Sequence, residues 1–326
     1  MNTLTKFTFV LFTLISFAAS AQVHSSSGYE YLISTKQQEQ HLKELTSSNA
    51  TGRATGTSGA NLIRDYIANE FRSYGLRIWR GKHIHKFLVN SGKSSIAGQP
   101  PLDGYNVAGF IPSHIPNSNY IIIGAHYDHM GTINGKLLPG ADDNASGVTA
   151  LLELAKAFAE MAKRGDLITS NIVFVAFDAN NRNCQGSKTF ARDMIISPNR
   201  VTCMVNIDQI GSSLSPISNN PKYMLILGAE NLKVWEKEQI NFANRLEPEQ
   251  LELDYTYYNS PGFYNIFYKL SDQQSFTEMG IPALLFTSGI TTVTNKESDN
   301  ISNLNIPILD RRIRVIYRFI YLLARM

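Results

Sequence analysis

Cysteine is nearly missing from this 326-residue chain, which holds only Cys184 and Cys203. Two cysteines exclude a disulfide-built scaffold, and their spacing excludes a Cys-x-x-Cys metal or redox pair. A disulfide between them is the default for an exported chain. Cys184, however, follows the carboxyl end of one expected strand, and Cys203 opens the next after a returning helix. That places them at opposite edges of a sheet, so two free buried thiols are expected. An excess of one charge is missing as well. Without Lys6, 29 basic residues face 27 acidic ones, a formal charge of +2. This balance favours neither nucleic acid nor an anionic membrane as partner. No Pro/Ser linker, repeat or low-complexity tract divides residues 22–326, which are expected to form one domain. A Walker loop, a dinucleotide Gly fingerprint and a Gly-x-Ser-x-Gly elbow are all lacking, which removes the enzyme classes built on them.

Long apolar runs are confined to the amino end. Lys6, the stretch "FTFVLFTLISFAA" and the small residues Ala19-Ser20-Ala21 have the order of a signal peptide. The run is too short to span a bilayer, no second one follows, and no cysteine stands behind it for lipid attachment. Cleavage after Ala21 and a secreted or periplasmic location are expected, with no membrane span in the mature form.

What is present is an alternation of strands and helices. Helical spacing marks residues 29–48 and 60–76, the latter stopped by Gly75. "YNVAGFI" (105–111), "YIIIGAH" (120–126), "NIVFVAF" (171–177), "VTCMVNID" (201–208), "KYMLILG" (222–228) and "PALLFTS" (282–288) predict strands. Further helices are expected after Asn144 and Ser146, which can cap one, from about Ser187, from about Asn231, and from Pro307 to Met326. The last carries five arginines on an apolar face, as a docked terminal helix would. Near-continuous apolar strands between helices predict an α/β three-layer sandwich, its sheet mixed but mostly parallel and covered on both faces. Tyr255, Tyr257, Tyr258, Phe263, Tyr264, Phe267 and Tyr268 cluster before Asp272, as core or as pocket lining.

Polar residues gather at four strand ends: His126 with Asp128, Asp142 with Asp143, Asp178 with Asn180 and Asn181, and Asp208. In a parallel sheet such ends share one edge, where α/β proteins place their sites. Imidazole and carboxylates together suit zinc or a similar divalent ion. The adjacent amides Asn180 and Asn181 are unusual there, because an amide neither takes a proton near neutral pH nor binds a metal well.

"GRATGTSG" (52–59), "GAHYDHMG", "PGADDNASGVTALLELAKAF", "IVFVAFDANNRNCQGS", "VNIDQIG" and "SDQQSFTEMGIPALLF" resemble, in order, the signatures of the co-catalytic zinc aminopeptidases. That family groups bacterial leucyl aminopeptidase and aminopeptidase Y with glutaminyl cyclases. The resemblance implies Asp142 as the carboxylate bridging two metals, with His126 and Asp208 completing the first metal site. It puts Asn181 and Asn295 where the second metal has a glutamate and a histidine, and Asn180 at the general base. Asp128 falls on a carboxylate that orients the metal histidine, and Gln273 stands where many relatives have histidine. It also implies a cis Asp142–Asp143 peptide.

One zinc or other divalent ion is therefore expected at His126, Asp142 and Asp208, and none at the second position. Three functions stand open: a catalytically silent binder of a peptide, amino acid or protein; a one-metal hydrolase with another base, such as His129; and a glutaminyl-cyclase-like transferase. The loops 129–140, 212–221 and 245–270 would set specificity.

Overall fold

The computed structural model describes residues 28–90 and 102–326. The expected signal peptide, residues 1–21, lies outside them. Helix α1 (Thr35–Leu45) precedes α2 (Ser58–Tyr74), which Thr57 caps by accepting from the amide of Ala60 at 3.2 Å. Gly75, left-handed at φ 86°, ends α2. Strands β1 (Arg77–Ile78), β2 (Ile84–Val89), β3 (Leu102–Ile111) and β4 (Tyr120–His126) follow. A small hairpin, β5 (Thr132–Ile133) and β6 (Lys136–Leu137), then leads towards α3 (Gly147–Lys163). Next come β7 (Asn171–Phe177), α4 (Gln185–Asp193), β8 (Val201–Ile207), β9 (Tyr223–Leu227), α5 (Val234–Arg245) and β10 (Glu252–Asp254). The chain closes with α6 (Pro261–Phe267), α7 (Gln273–Thr277), β11 (Ala283–Thr287) and α8 (Ile306–Leu323).

Among the described residues, nine strands make one sheet in the order β1-β3-β7-β4-β8-β11-β9-β10, with β2 also paired to β3. The central strands β7, β4, β8 and β11 run parallel, while β3 and β9 join antiparallel on either side. This is the mixed, three-layer α/β sandwich expected. Alternate side chains of β4 enter opposite cores: Ile121 and Ile123 pack with residues of α1, α2, α3, α5 and α8, and Ile122 packs with Phe190 of α4 and Phe276 of α7. A strand buried on both faces has to be apolar at every position, hence the unbroken run "YIIIGAH".

Helix α8 is docked along most of its length. Its Arg312, fully buried, donates to the carbonyls of Tyr223 (2.8 Å), Ile210 (2.7 Å) and Ser212 (2.6 Å). Both cysteines are free and buried. No described helix is long and apolar enough to cross a membrane. The strands and α-helices not expected from the sequence are β1, β2, β5, β6, β10, α6 and α7, each of seven residues or fewer.

Candidate metal centre

Because β7, β4, β8 and β11 are parallel, their carboxyl ends bring His126, Asp208 and the Asn180–Asn181 turn to one edge. His126 ends β4. Its Nδ1 donates to the main-chain carbonyl of Asp128 at 3.1 Å, which fixes the tautomer and turns Nε2 into the site. There Nε2 stands 3.4 Å from an oxygen of Asp143 and 3.4 Å from one of Asp208. Ser271 donates to the far oxygen of Asp208 at 2.5 Å, and the near oxygen has no hydrogen-bond partner. All three residues are buried. Burial alone would disfavour a charged imidazole, yet the carboxylates of Asp208 and Asp143 hold the His126 pKa well above its usual value.

The carboxylate that joins His126 and Asp208 is that of Asp143, which corrects the expectation for Asp142. One Asp142 oxygen instead accepts from the amides of Gly211 (2.7 Å) and Ser212 (3.2 Å), and fastens the loop after β8 to the turn before α3. Burial, then the neighbouring charge of Asp299, pushes Asp142 up to about 7. Successive side chains of this turn leave the backbone in different directions, so only one of the two can enter the site. The cis peptide is likewise one bond further on, at Asp143–Asn144.

Asp128 also acts otherwise than expected. Its carbonyl orients His126, whereas its carboxylate accepts from the backbone amides of Asn180 (2.9 Å) and Asn181 (3.2 Å). It therefore clasps the turn that follows β7. That turn starts from a left-handed Ala179 and presents two amide side chains. The Asn180 Nδ2 donates to Asp272 at 3.0 Å. Asn180, Asn181 and Asn295 line one cavity of about 190 Å³ together with His126, Asp143 and Asp208. Tyr257, Phe267, Leu270 and Ile290 form its apolar side, so the aromatic cluster contributes two of its seven rings. Asp142 and Asp128 are not among the lining residues, and neither is His129. His129 is buried behind Asp143, its Nδ1 3.9 Å from the carboxylate, and burial pushes its pKa down to about 4. Gln273 supports from beneath, accepting from Asn206 at 2.8 Å.

Three supporting residues escaped the reading of the sequence. Asp299 accepts from the amides of Asp142 (2.8 Å) and Asp143 (3.1 Å) and so sets the direction of both side chains. Asp272 is fully buried, and burial raises its pKa to about 6. Arg53, fully buried, donates to the carbonyls of Tyr127 (2.8 Å), Leu45 (2.8 Å), Pro139 (2.6 Å) and Gly140 (3.0 Å). Arg53 and Asp272 lie inside quoted motifs, "GRATGTSG" and "SDQQSFTEMGIPALLF", and Asp299 follows Asn295 by four residues.

The sequence profile of Peptidase family M28 matches residues 106–320. The chain belongs to that family. A probable zinc metalloprotease of Pyrenophora teres f. teres is 25% identical over 270 residues, which cover 75% of this chain and 54% of the relative. The chain thus spans about half the length of that curated relative. Among solved structures, an aminopeptidase from Aneurinibacillus sp. strain AM-1 superposes with a TM-score of 0.69, at 15% identity over 92% of this chain and 96% of that one. A zinc aminopeptidase from Bacillus subtilis does so with 0.70, at 14% identity over 90% and 96%. These likenesses place this M28 chain in the zinc-aminopeptidase fold.

Membership implies zinc, and the donor set suits it. An imidazole nitrogen with two carboxylate oxygens is a usual zinc environment. The 3.4 Å separations from Nε2 to the two oxygens equal the edge of a tetrahedron whose centre lies about 2.1 Å from each corner. The unpartnered, buried oxygen of Asp208 is the kind of atom that a cation would satisfy.

Proposed function

We propose that this M28 chain is an exported, single-domain protein that keeps one metal position, at His126, Asp143 and Asp208, and has lost the other together with its catalytic base. In this reading it binds the end of a peptide or an amino acid without hydrolysing it efficiently. The supporting observation is that the cavity wall facing the retained cluster carries three neutral amides, Asn180, Asn181 and Asn295.

An ion bound by His126, Asp143 and Asp208 would supply positive charge and Lewis acidity at the polar end of the cavity. Asn180 can orient a water molecule, but it cannot accept a proton, and its amide is already engaged with Asp272. General-base assistance is typically worth about 10²–10⁴ in rate, so its loss alone would make an amidase sluggish. Asn181 and Asn295 offer neutral oxygens where a second cation would need charge, and such a cation loses most of its attraction. The side formed by Tyr257, Phe267, Leu270 and Ile290 can still receive an apolar side chain. A cavity of about 190 Å³ suits one residue rather than a folded segment. Export rests on the signal-peptide order of residues 1–21.

The test is an aminopeptidase assay with amino-acid anilides and added zinc or cobalt, on the protein and on its Asn180→Glu, Asn181→Glu, Asn295→His variant. Expected are a background rate for the former and hydrolysis for the latter, with zinc content rising from at most one equivalent towards two. Comparable activity in both would sink the silent reading and establish a one-metal hydrolase with a different base.

A further inference from the structure

A second cavity, of about 200 Å³, shares no residue with the one at the metal centre and lies at the β1–β3 edge of the sheet. Its lining includes Arg80, Lys82, His85 and Lys86, and one acid, Asp193. The turn Trp79–Lys82 contributes Trp79, Arg80 and Lys82 to it and is closed by the Lys82 amide on the Trp79 carbonyl at 3.1 Å. Its two central residues, Arg80 (φ 46°) and Gly81 (φ 83°), are both left-handed. Such turns favour asparagine or glycine at the first of these places, so an arginine there holds a strained backbone that commonly marks a working position.

The positive charges of this cavity are poorly answered. The Asp193 carboxylate is engaged by Arg192 at 2.7 Å, and only its main-chain carbonyl receives the Arg80 guanidinium. Lys86 pairs with Asp103 at 2.8 Å across an exposed surface. Lys82 has no ion-pair partner among the described residues. The Nε2 of His85 is buried without a hydrogen-bond partner, an arrangement proteins rarely leave unexplained. Burial, then the charges of Lys82 and Arg80, push the His85 pKa down, as a field of one sign would. Trp79, Phe87 and Phe190 supply an apolar wall.

We infer that this cavity is an anion site for a phosphate group, either free or as the monoester of a small organic molecule. A planar guanidinium, an ammonium and an imidazole together line it, a donor set that suits an anion with several acceptor oxygens. The apolar wall gives an organic substituent a place to lie. This site is independent of the reading of the metal centre.

The chain has two tryptophans, and Trp235 is half exposed on α5, so Trp235→Phe leaves Trp79 as the sole reporter. This full-length variant is titrated with inorganic phosphate and with phenyl phosphate, followed by fluorescence and by calorimetry, against potassium chloride at matched ionic strength. A saturable response to at least one phosphate probe is expected. Lys82→Ala and His85→Gln should each weaken it by roughly tenfold while leaving the far-ultraviolet circular dichroism unchanged, since each removes one charge-assisted hydrogen bond. A response to inorganic phosphate assigns the free anion, and one to phenyl phosphate alone assigns the monoester. No saturable response by either method overturns the inference. So does a response that chloride reproduces or that neither substitution weakens.

Discussion

Asn180 and Asp272 are joined by a 3.0 Å hydrogen bond from the side-chain amide to a carboxylate that is fully buried. The residue that the resemblance puts at the base position thus donates to a buried acid. A glutamate at 180 would face that acid with a second carboxylate.

Asn180→Glu alone should therefore destabilise the protein, more strongly as pH rises. Burial already holds Asp272 at about 6, so around pH 5 the two carboxyls can share a proton and the cost is small. Above pH 7 both must ionise, and the cost should reach about 1–3 kcal/mol. Adding Asp272→Asn restores a donor opposite the new acceptor and should remove most of this pH dependence. Thermal unfolding of both variants between pH 5 and pH 8 measures it, and a loss equal at all pH values would refute the account.

Asp143→Asn and Asp142→Asn separate two adjacent carboxylates by their effects. Asp143 is the one that faces His126 and Asp208, so its substitution should reduce zinc uptake by at least an order of magnitude. Asp142→Asn keeps an oxygen for the amides of Gly211 and Ser212 and should leave zinc uptake near normal. Asp142→Ala should instead cost about 1–3 kcal/mol in stability, since the buried amides of Gly211 and Ser212 lose their acceptor. Zinc titration with a chelating indicator, alongside urea unfolding, distinguishes the two roles; the reverse pattern of uptake would return the ligand role to Asp142.

Glu153 supplies a pH dependence remote from the centre. Its side chain is buried on α3, where it accepts from the Ser34 amide at 2.8 Å and lies 3.7 Å from His41. Burial raises Glu153 to about 7 and lowers His41 to about 4, so near neutrality the imidazole is uncharged and the contact is not an ion pair. Burial outweighs the short separation because both side chains are cut off from water. A carboxyl whose folded pKa is raised stays protonated where the unfolded chain ionises. Its contribution is full below about pH 4.5 and is lost as pH climbs to about 7. Glu153→Gln should abolish that slope and leave the variant more stable than the parent at pH 8 by roughly 2–4 kcal/mol. Urea midpoints at pH 5 and pH 8 give the comparison, and parallel slopes in both proteins would contradict it.

The sequence by itself determined the α/β class, the mixed and mostly parallel sheet, and the edge on which the site lies. Strands apolar at every position have to be buried on both faces, and parallel strands have to end together, so "YIIIGAH", "NIVFVAF" and "VTCMVNID" carried that information locally. The motif order was equally legible, since it is a property of the chain as a line. Tertiary structure decided which atom of each motif reaches the centre. The direction of Asp142 and Asp143 depends on Asp299, 156 residues and more away, and on the amides after β8. Asp128 orients His126 through its carbonyl because its carboxylate is occupied by the turn at 180–181, another contact between distant segments. Spacing along the chain assigns residues to a site. Only the long-range hydrogen bonds that aim each side chain decide which of two neighbouring carboxylates meets the metal position, because a turn of one residue reverses direction without altering the pattern.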